Sequence, residues 1–352
     1  MIFPFGIHPI IQDDLLSICS AELPWSKLAN KSILITGGNG FLPSYLSQAL
    51  LTANKVHGLN IKVICVTRRS PHHENRLYPW RHDSNLESFT QDISLPLQNN
   101  FPKADIIIHA ASQASPKYYS LDPVGTLSAN SIGTANLLNH ARYCSSSKFL
   151  FFSSGEIYGQ PLNSNKQISE KDYGYVDPTN LRSCYAESKR MGENMCISWA
   201  EQFKVDTSIV RPFHTYGPGM SLDDGRVFAD FVRDVVNQED ITLNSAGTAV
   251  RAFCYIADAT IGFLTVLLKG GTAQAYNIGN PDAAISMADL ANTLTKLFPE
   301  RNLKVQTHLS TSSIVNNSIS KAIPCIDKIK ELSWSPTTTI NAGFKRTVNS
   351  FL

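Results

Sequence analysis

Ser32-Ile33-Leu34-Ile35-Thr36-Gly37-Gly38-Asn39-Gly40-Phe41-Leu42-Pro43 is the stretch on which the fold turns. Residues 32–36 are short, apolar and β-branched, the signal of a buried strand. Glycines follow at once, and from Phe41 to Leu51 the pattern is helical. Strand, glycine-rich turn and helix in that order give a glycine motif its meaning. The glycines allow a tight turn and a close backbone approach to a pyrophosphate, which then sits at the positive end of a helix. Dinucleotide binding through Gly37, Asn39, Gly40, Phe41 and Leu42 is therefore expected, with a plain turn as the alternative. Pro43 stands where a third small residue is usual, and proline is tolerated in a first helical turn.

Further strands are expected at Lys62–Val66, Phe89–Ile93, Ala104–His109, Phe149–Phe152, Asp206–Val210 and Ala275–Gly279. Helical stretches alternate with them, one running unbroken from Pro123 to Tyr143. That alternation predicts an α/β protein built on a doubly wound parallel sheet. His72 to Ser88 reads as a polar loop. A lead-in helix near Asp13 to Ala21, capped by acidic residues, falls in an extension over residues 1–30. Residues 31–212 would form the dinucleotide-binding domain, with a return segment at about 255–280. Residues 213–254 and 281–352 would form a smaller C-terminal substrate domain over the carboxyl ends of the strands, where ligands bind in such sheets.

At the end of the second strand stands Thr67-Arg68-Arg69. An acid there would suit the ribose 2′-hydroxyl of NAD, whereas arginine suits the 2′-phosphate of NADP. NADP is favoured over NAD, and a solvated basic turn is the alternative. Asp92, with Ile93 beside it, is a candidate adenine contact. Ala110-Ala111-Ser112 are small enough to let a cofactor approach the backbone. Tyr185 and Lys189 are four residues apart in a helical pattern, so they share a face. A neighbouring ammonium favours a phenolate, and such a pair can move a proton to or from an alcohol. The alternative is a surface lysine beside a packed tyrosine.

The composition excludes several classes. A net charge of +2 implies no nucleic-acid or membrane partner. Seven scattered cysteines without a CxxC argue against a disulfide framework or metal site and fit a reducing cytoplasm. Residues 1–11 lack the basic region of a signal peptide, and no uncharged apolar run is long enough to span a membrane.

Four motifs together resemble one family: residues 36–42, Ser153-Ser154-Gly155-Glu156-Ile157-Tyr158-Gly159, Tyr185 with Lys189, and Arg211-Pro212-Phe213-His214-Thr215-Tyr216-Gly217-Pro218. It is the nucleotide-sugar epimerase/dehydratase group of the extended short-chain dehydrogenase/reductases, with a Rossmann fold. The resemblance runs from about Lys31 to about Gly279. Within the family the chain is most similar to the UDP-glucuronate decarboxylases, through residues 109–116, 182–185 and 224–227. The resemblance implies that Ser154 holds the sugar oxygen, Tyr185 is the acid/base, Lys189 lowers its pKa, and Glu156 lies near the sugar ring. Tyr119, His214, Arg226 and Arg251 would face the nucleotide-diphosphate sugar, and Pro212 the cofactor. A homodimer through the helices near Thr126–Tyr143 and Ala186–Glu201 is implied as well.

Departures from the family pattern qualify this. Gly155 replaces the Ser of decarboxylases and the Asp of 4,6-dehydratases, which disfavours dehydration and is similar to some 4-keto-sugar reductases. His214 replaces an Asn at the diphosphate, and Asn244-Ser245-Ala246-Gly247 replaces an aromatic-Gly turn near the base. Three readings stand: a UDP-glucuronate decarboxylase-like enzyme oxidising sugar C4, an NADPH-dependent reductase of a nucleotide-linked 4-keto-6-deoxyhexose, and a non-catalytic nucleotide-binding module, which the intact Ser154, Tyr185 and Lys189 disfavour. Cys184 is read as a buried inert thiol.

Overall fold

A computed structural model describes residues 3–69, 75–161, 166–308 and 321–352. Seven strands form the central sheet: β1 (Ser32–Thr36), β2 (Lys62–Thr67), β3 (Leu86–Thr90), β4 (Ile106–His109), β5 (Lys148–Phe152), β6 (Thr207–Pro212) and β7 (Gln274–Ile278). Their order is β7-β6-β5-β4-β1-β2-β3, and every pairing is parallel. The order reverses between β1 and β4, which opens a crevice at their carboxyl ends.

Period-2 alternation divides the strand residues between two apolar layers. Ile33, Ile35, Val63, Cys65, Ile106 and Ile108 face one side; Leu34, Ile64, Val66, Ile107, Phe149 and Phe151 face the other. Both faces are covered, as a parallel sheet requires. The first side is packed by α1 (Pro9–Cys19), α2 (Phe41–His57) and α6 (Ile256–Lys269). The second is packed by α4 (Ile132–Cys144) and α5 (Cys184–Phe203), beside α3 (Pro123–Asn130).

Helix α2 starts at Gly40 as N-cap and ends at Gly58, whose φ of 67° suits a glycine C-cap. Pro43 is its third residue, and Ser44 N–H makes the first helical bond, to Gly40 O at 3.0 Å. The amide that Pro43 lacks would have had no helical partner anyway, so proline costs this helix little.

Around the strand Val250–Tyr255 a small second sheet forms, with Ala284–Ser286 antiparallel and Lys321–Ala322 and His214–Tyr216 parallel to it. It sets His214 opposite Phe253 and Arg251 opposite Ile285. The C-terminal α7 (Ile340–Asn349) stacks Phe344 on Tyr216, with ring centroids 4.1 Å apart.

Several boundaries differ from expectation. The third strand is Leu86–Thr90 rather than 89–93, because Asp92 accepts from both the backbone and hydroxyl of Ser94 and leaves the ladder in a turn. The single helix over 123–143 breaks at Ser131 into α3 and α4; there Thr134 Oγ1 donates to the Asn130 carbonyl at 2.6 Å. The lead-in helix is Pro9–Cys19, capped by His8 Nδ1 instead of an acid, and Asp14 is buried. Of the expected polar loop, residues 72–74 lie outside the described residues; the rest holds a 3₁₀ turn at Tyr78–Trp80 and the start of β3.

Candidate functional site

A cleft of about 640 Å³ opens at the carboxyl ends of the sheet. Its walls include Gly40, Phe41 and Leu42 from the glycine turn, Ala110 and Ser112 after β4, Ser154 and Glu156 after β5, Tyr185 and Lys189 on α5, and Pro212 ending β6. Tyr119, His214, Arg226 and Arg251 complete it. All the residues expected to be catalytic or to face substrate thus border one space. Gly37, Asn39, Thr67, Arg68, Arg69, Asp92, Ile93 and Ala111 do not border it. Gly37 N–H donates to Val66 O at 2.8 Å, which puts the end of β2 beside the glycine turn. Arg68 lies close enough to Asp122 to help hold that carboxyl low, after the bonds from Gln113 and Gly125 N–H. Ile93 is buried against Gly133.

Tyr185 and Lys189 face the cleft from the first turns of α5, and both are almost wholly buried. Lys189 Nζ donates to Phe152 O at 2.6 Å and lies over the rings of Phe151 and Tyr185, 5.0 and 5.8 Å from their centroids. Burial pushes this amine down to about 7, partly countered by Glu193. Burial also pushes the Tyr185 phenol up to about 12, against a hydrogen bond from Ser154 and the charge of Arg226. Desolvation outweighs the lowering that the Tyr–Lys spacing suggests. Tyr119 stacks on Tyr185 at 4.9 Å, and Cys184 beside it is a buried thiol with its pKa raised by desolvation. Ser154 caps the 3₁₀ turn Gly155–Tyr158, accepting from Glu156 N–H at 3.2 Å. A Cβ on Gly155 would meet the Phe213 ring at 3.3 Å, so that ring closes the wall where other residues would project a side chain.

Charge in the cleft is unevenly paired. Arg226 bonds Asp224 at 3.1 Å and the Ala114 carbonyl at 2.9 Å. Among the described residues the Arg251 side chain donates only to its neighbour's carbonyl, Val250 O, at 2.8 Å, and burial lowers its basicity while Glu156 opposes this. His214 is pushed down to about 3 by burial and then by Arg251 and Arg226, so its ring is neutral at pH 7. The sequence reading gave no role to Arg182, whose Nη1 lies 3.3 Å from Glu156 Oε2. Its signals were its place three residues before Tyr185 and its share in the 182–185 stretch that resembles the decarboxylases. A larger hollow of about 910 Å³, on another face of α5 around the Arg211–Glu193 ion pair, contains none of the expected site residues.

The crevice fits a dinucleotide on independent grounds. Gly37 has φ +73°, and a Cβ there would sit 2.8 Å from Ala111 Cα, so the turn packs as only glycine can. Ser112 Oγ, Ser153 Oγ and His214 Nδ1 are buried at the cleft with no hydrogen-bond partner among the described residues, which is costly unless a polar ligand supplies one. Thr36 Oγ1 accepts from the N–H groups of Ala110 and Ala111, so its proton goes to His109 Nδ1 at 2.9 Å. That fixes the small-residue turn against β1.

Fold and cleft together define a dinucleotide-binding α/β protein with a polar ligand site at its topological switch point. More particularly, the chain belongs to the NAD dependent epimerase/dehydratase family, whose pattern matches residues 33–279. UDP-glucuronic acid decarboxylase 6 of Arabidopsis thaliana is 33% identical over 316 residues, covering 90% of this chain and 87% of that one. UDP-glucuronic acid decarboxylase 1 of Xenopus tropicalis is 32% identical over 327 residues, covering 93% and 73%. Among solved structures, the epimerase Mth375 of Methanothermobacter thermautotrophicus superposes with a TM-score of 0.80 at 21% identity, over 98% and 96% of the two chains. The UDP-glucuronic acid 4-epimerase of Bacillus cereus, solved with UDP-glucuronic acid and NAD, gives 0.75 at 23%, over 91% and 98%. Both share the fold. Among the described residues no helix is long and apolar enough to cross a membrane, and no cluster could hold a metal ion.

Proposed function

We propose that the chain acts on a nucleotide-diphosphate sugar by transient oxidation at C4, with UDP-glucuronate decarboxylation as the specific reaction. The observation that carries this is the convergence of Ser154, Glu156, Tyr185, Lys189 and Arg251 on one cleft, in a chain whose relatives include UDP-glucuronic acid decarboxylases. A nicotinamide dinucleotide held at Gly37, Gly40, Phe41 and Leu42 would supply a reversible hydride acceptor for C4. Tyr185 takes the proton of the C4 hydroxyl, Ser154 holds that oxygen, and Lys189 keeps the phenolate accessible. Arg251 has no carboxylate bonded to it among the described residues, which suits it to hold the C6 carboxylate until carbon dioxide leaves the β-keto acid. Loss of carbon dioxide leaves the electron pair of the broken C5–C6 bond in a C4–C5 enolate, which takes a proton at C5 from water in the cleft. With the hydride back on C4, Tyr185 returns its own proton to the C4 oxygen.

Gly155 and the Arg68-Arg69 pair favour a second reading: net reduction of a 4-keto-6-deoxyhexose by NADPH, with NADP as the product. The two part cleanly. Carbon dioxide released from UDP-glucuronate, with cofactor redox state unchanged over many turnovers, supports the first. Stoichiometric NADPH consumption with a 4-keto sugar refutes it in favour of the second. Under either, Tyr185→Phe lowers the rate by about 10²–10⁴ and leaves the dinucleotide bound; full activity would remove Tyr185 from the mechanism.

Residues 213–254 and 281–352 form the substrate-facing part in this reading. Exposed Leu127, Ile132 and Tyr143 on α3 and α4, with Met191 and Ile197 on α5, support a homodimer through the helices over residues 126–143 and 186–201. Seven free cysteines support a reducing cytoplasm.

A further inference from the structure

Arg76 lies in the polar connection between β2 and β3, and no motif marks it. Its backbone N–H donates to Asn39 Oδ1 at 2.9 Å, and its Nη1 donates to Asn39 O at 2.9 Å. Each residue thus holds the other's main chain with its side chain. Gly219 O, which like Arg76 lies outside the lining of the cleft of about 640 Å³, accepts from Arg76 Nε at 2.8 Å. The guanidinium bridges the glycine turn and the turn that follows His214–Tyr216. Asn39 directly precedes Gly40, the N-cap of α2.

Two carbonyls satisfy hydrogen bonds but do not neutralise a charge. Among the described residues no carboxylate pairs with Arg76, and its partial burial depresses its basicity. A cation withdrawn from water without a counter-charge is costly, and arginines are placed this way where an anion will arrive. A guanidinium has five N–H donors, and its contacts among the described residues use two of them.

We propose that Arg76 is a phosphate-holding residue of the dinucleotide site, braced on Asn39 and Gly219 so that its guanidinium meets a phosphate of the bound cofactor. The inference rests on the dinucleotide reading of the crevice and adds a residue to it. Two phosphates qualify, the pyrophosphate common to NAD and NADP and the 2′-phosphate of NADP alone.

Calorimetric titration of the nucleotide-free protein with NAD⁺, NADP⁺ and adenosine tests this. Arg76→Gln places an amide nitrogen where Nε bonds the Gly219 carbonyl and removes the charge. It is expected to weaken dinucleotide binding about tenfold or more and to leave adenosine binding unchanged. Loss for both dinucleotides assigns the pyrophosphate; loss for NADP⁺ alone assigns the 2′-phosphate. Arg76→Lys keeps the charge and one hydrogen bond and should lose less than Arg76→Gln does. If Arg76→Gln does not fold, Arg76→Met, which removes the charge and every donor, takes its place with the same expected loss of about tenfold or more. Unchanged dinucleotide affinity in Arg76→Gln overturns the proposal, as does an equal loss for adenosine, which would make Arg76 a staple of the loop. A parent protein that binds neither dinucleotide overturns the underlying reading as well.

Discussion

Replacing Lys189 by methionine should stabilise the ligand-free protein while removing its activity. The ammonium is buried, with one hydrogen bond to Phe152 O and two aromatic faces for company. Its pKa falls from 10.5 to about 7. At about 1.4 kcal/mol per unit, that shift corresponds to an upper bound of roughly 5 kcal/mol, and local relaxation should reduce it to about 2–4 kcal/mol. The sign follows from proton counting. Between pH 7 and 10.5 the unfolded chain binds this proton and the folded chain does not, so stability rises with pH across that window. Below pH 7 both states carry the charge and the full burial penalty applies. Methionine has similar volume and no charge, so its advantage should be largest at pH 6 and shrink towards pH 10. Urea unfolding of the nucleotide-free parent and Lys189→Met proteins at four pH values measures it. A variant less stable than the parent throughout, or a difference that does not change with pH, would refute the claim that burial dominates at Lys189.

Three further outcomes are expected. Asp14 accepts from Tyr45, Tyr255 and Arg346 at 2.6, 2.7 and 2.7 Å, so Asp14→Ala strands a guanidinium and two phenols and should cost about 3–5 kcal/mol, read by denaturant titration. Gly37→Ala forces a Cβ to within 2.8 Å of Ala111 Cα at a φ of +73°; it should destabilise by at least about 1–2 kcal/mol and abolish dinucleotide binding, read by calorimetry. The pH profile of kcat/KM should rise through a midpoint near 7 as Lys189 loses its proton; a profile flat from pH 6 to 8.5 would contradict that assignment.

The glycine turn and the strands beside it were legible because their determinants are local. Residues 32–36 announce a strand by branching, and Gly37, Gly38 and Gly40 a turn by lacking side chains. Pro43 was readable as tolerable, since its missing amide falls where a helix has no partner to offer. Local reading failed where a side chain competed with the backbone. Asp92 ends β3 by folding back on Ser94, and Thr134 bonds the Asn130 carbonyl at the break between α3 and α4. Sequence could not supply contacts made at long range. Arg76 meets Gly219 across 143 positions, and Asp14 meets Arg346 across 332. No role for the lead-in helix was therefore legible, although its carboxylate fastens α2, the end of the Val250–Tyr255 strand and α7 together.

The sharpest difference between sequence and structure concerns the Tyr185–Lys189 pair, and it alters the chemistry expected of it. Spacing alone suggests an ammonium that makes a phenol acidic. Burial moves both groups the other way, the phenol up to about 12 and the amine down to about 7. Between those values the pair holds one proton in place of two. A phenol beside a neutral amine and a phenolate beside an ammonium contain the same number of protons, so they are two microstates of one titration state. Burial therefore does not disable the pair. It removes the doubly protonated form from neutral pH, and passage to the reactive phenolate needs only a proton shift within the site. The hydrogen bond from Ser154 and the charge of Arg226 both favour the phenolate, so each bears on that shift more than on the total charge of the cleft.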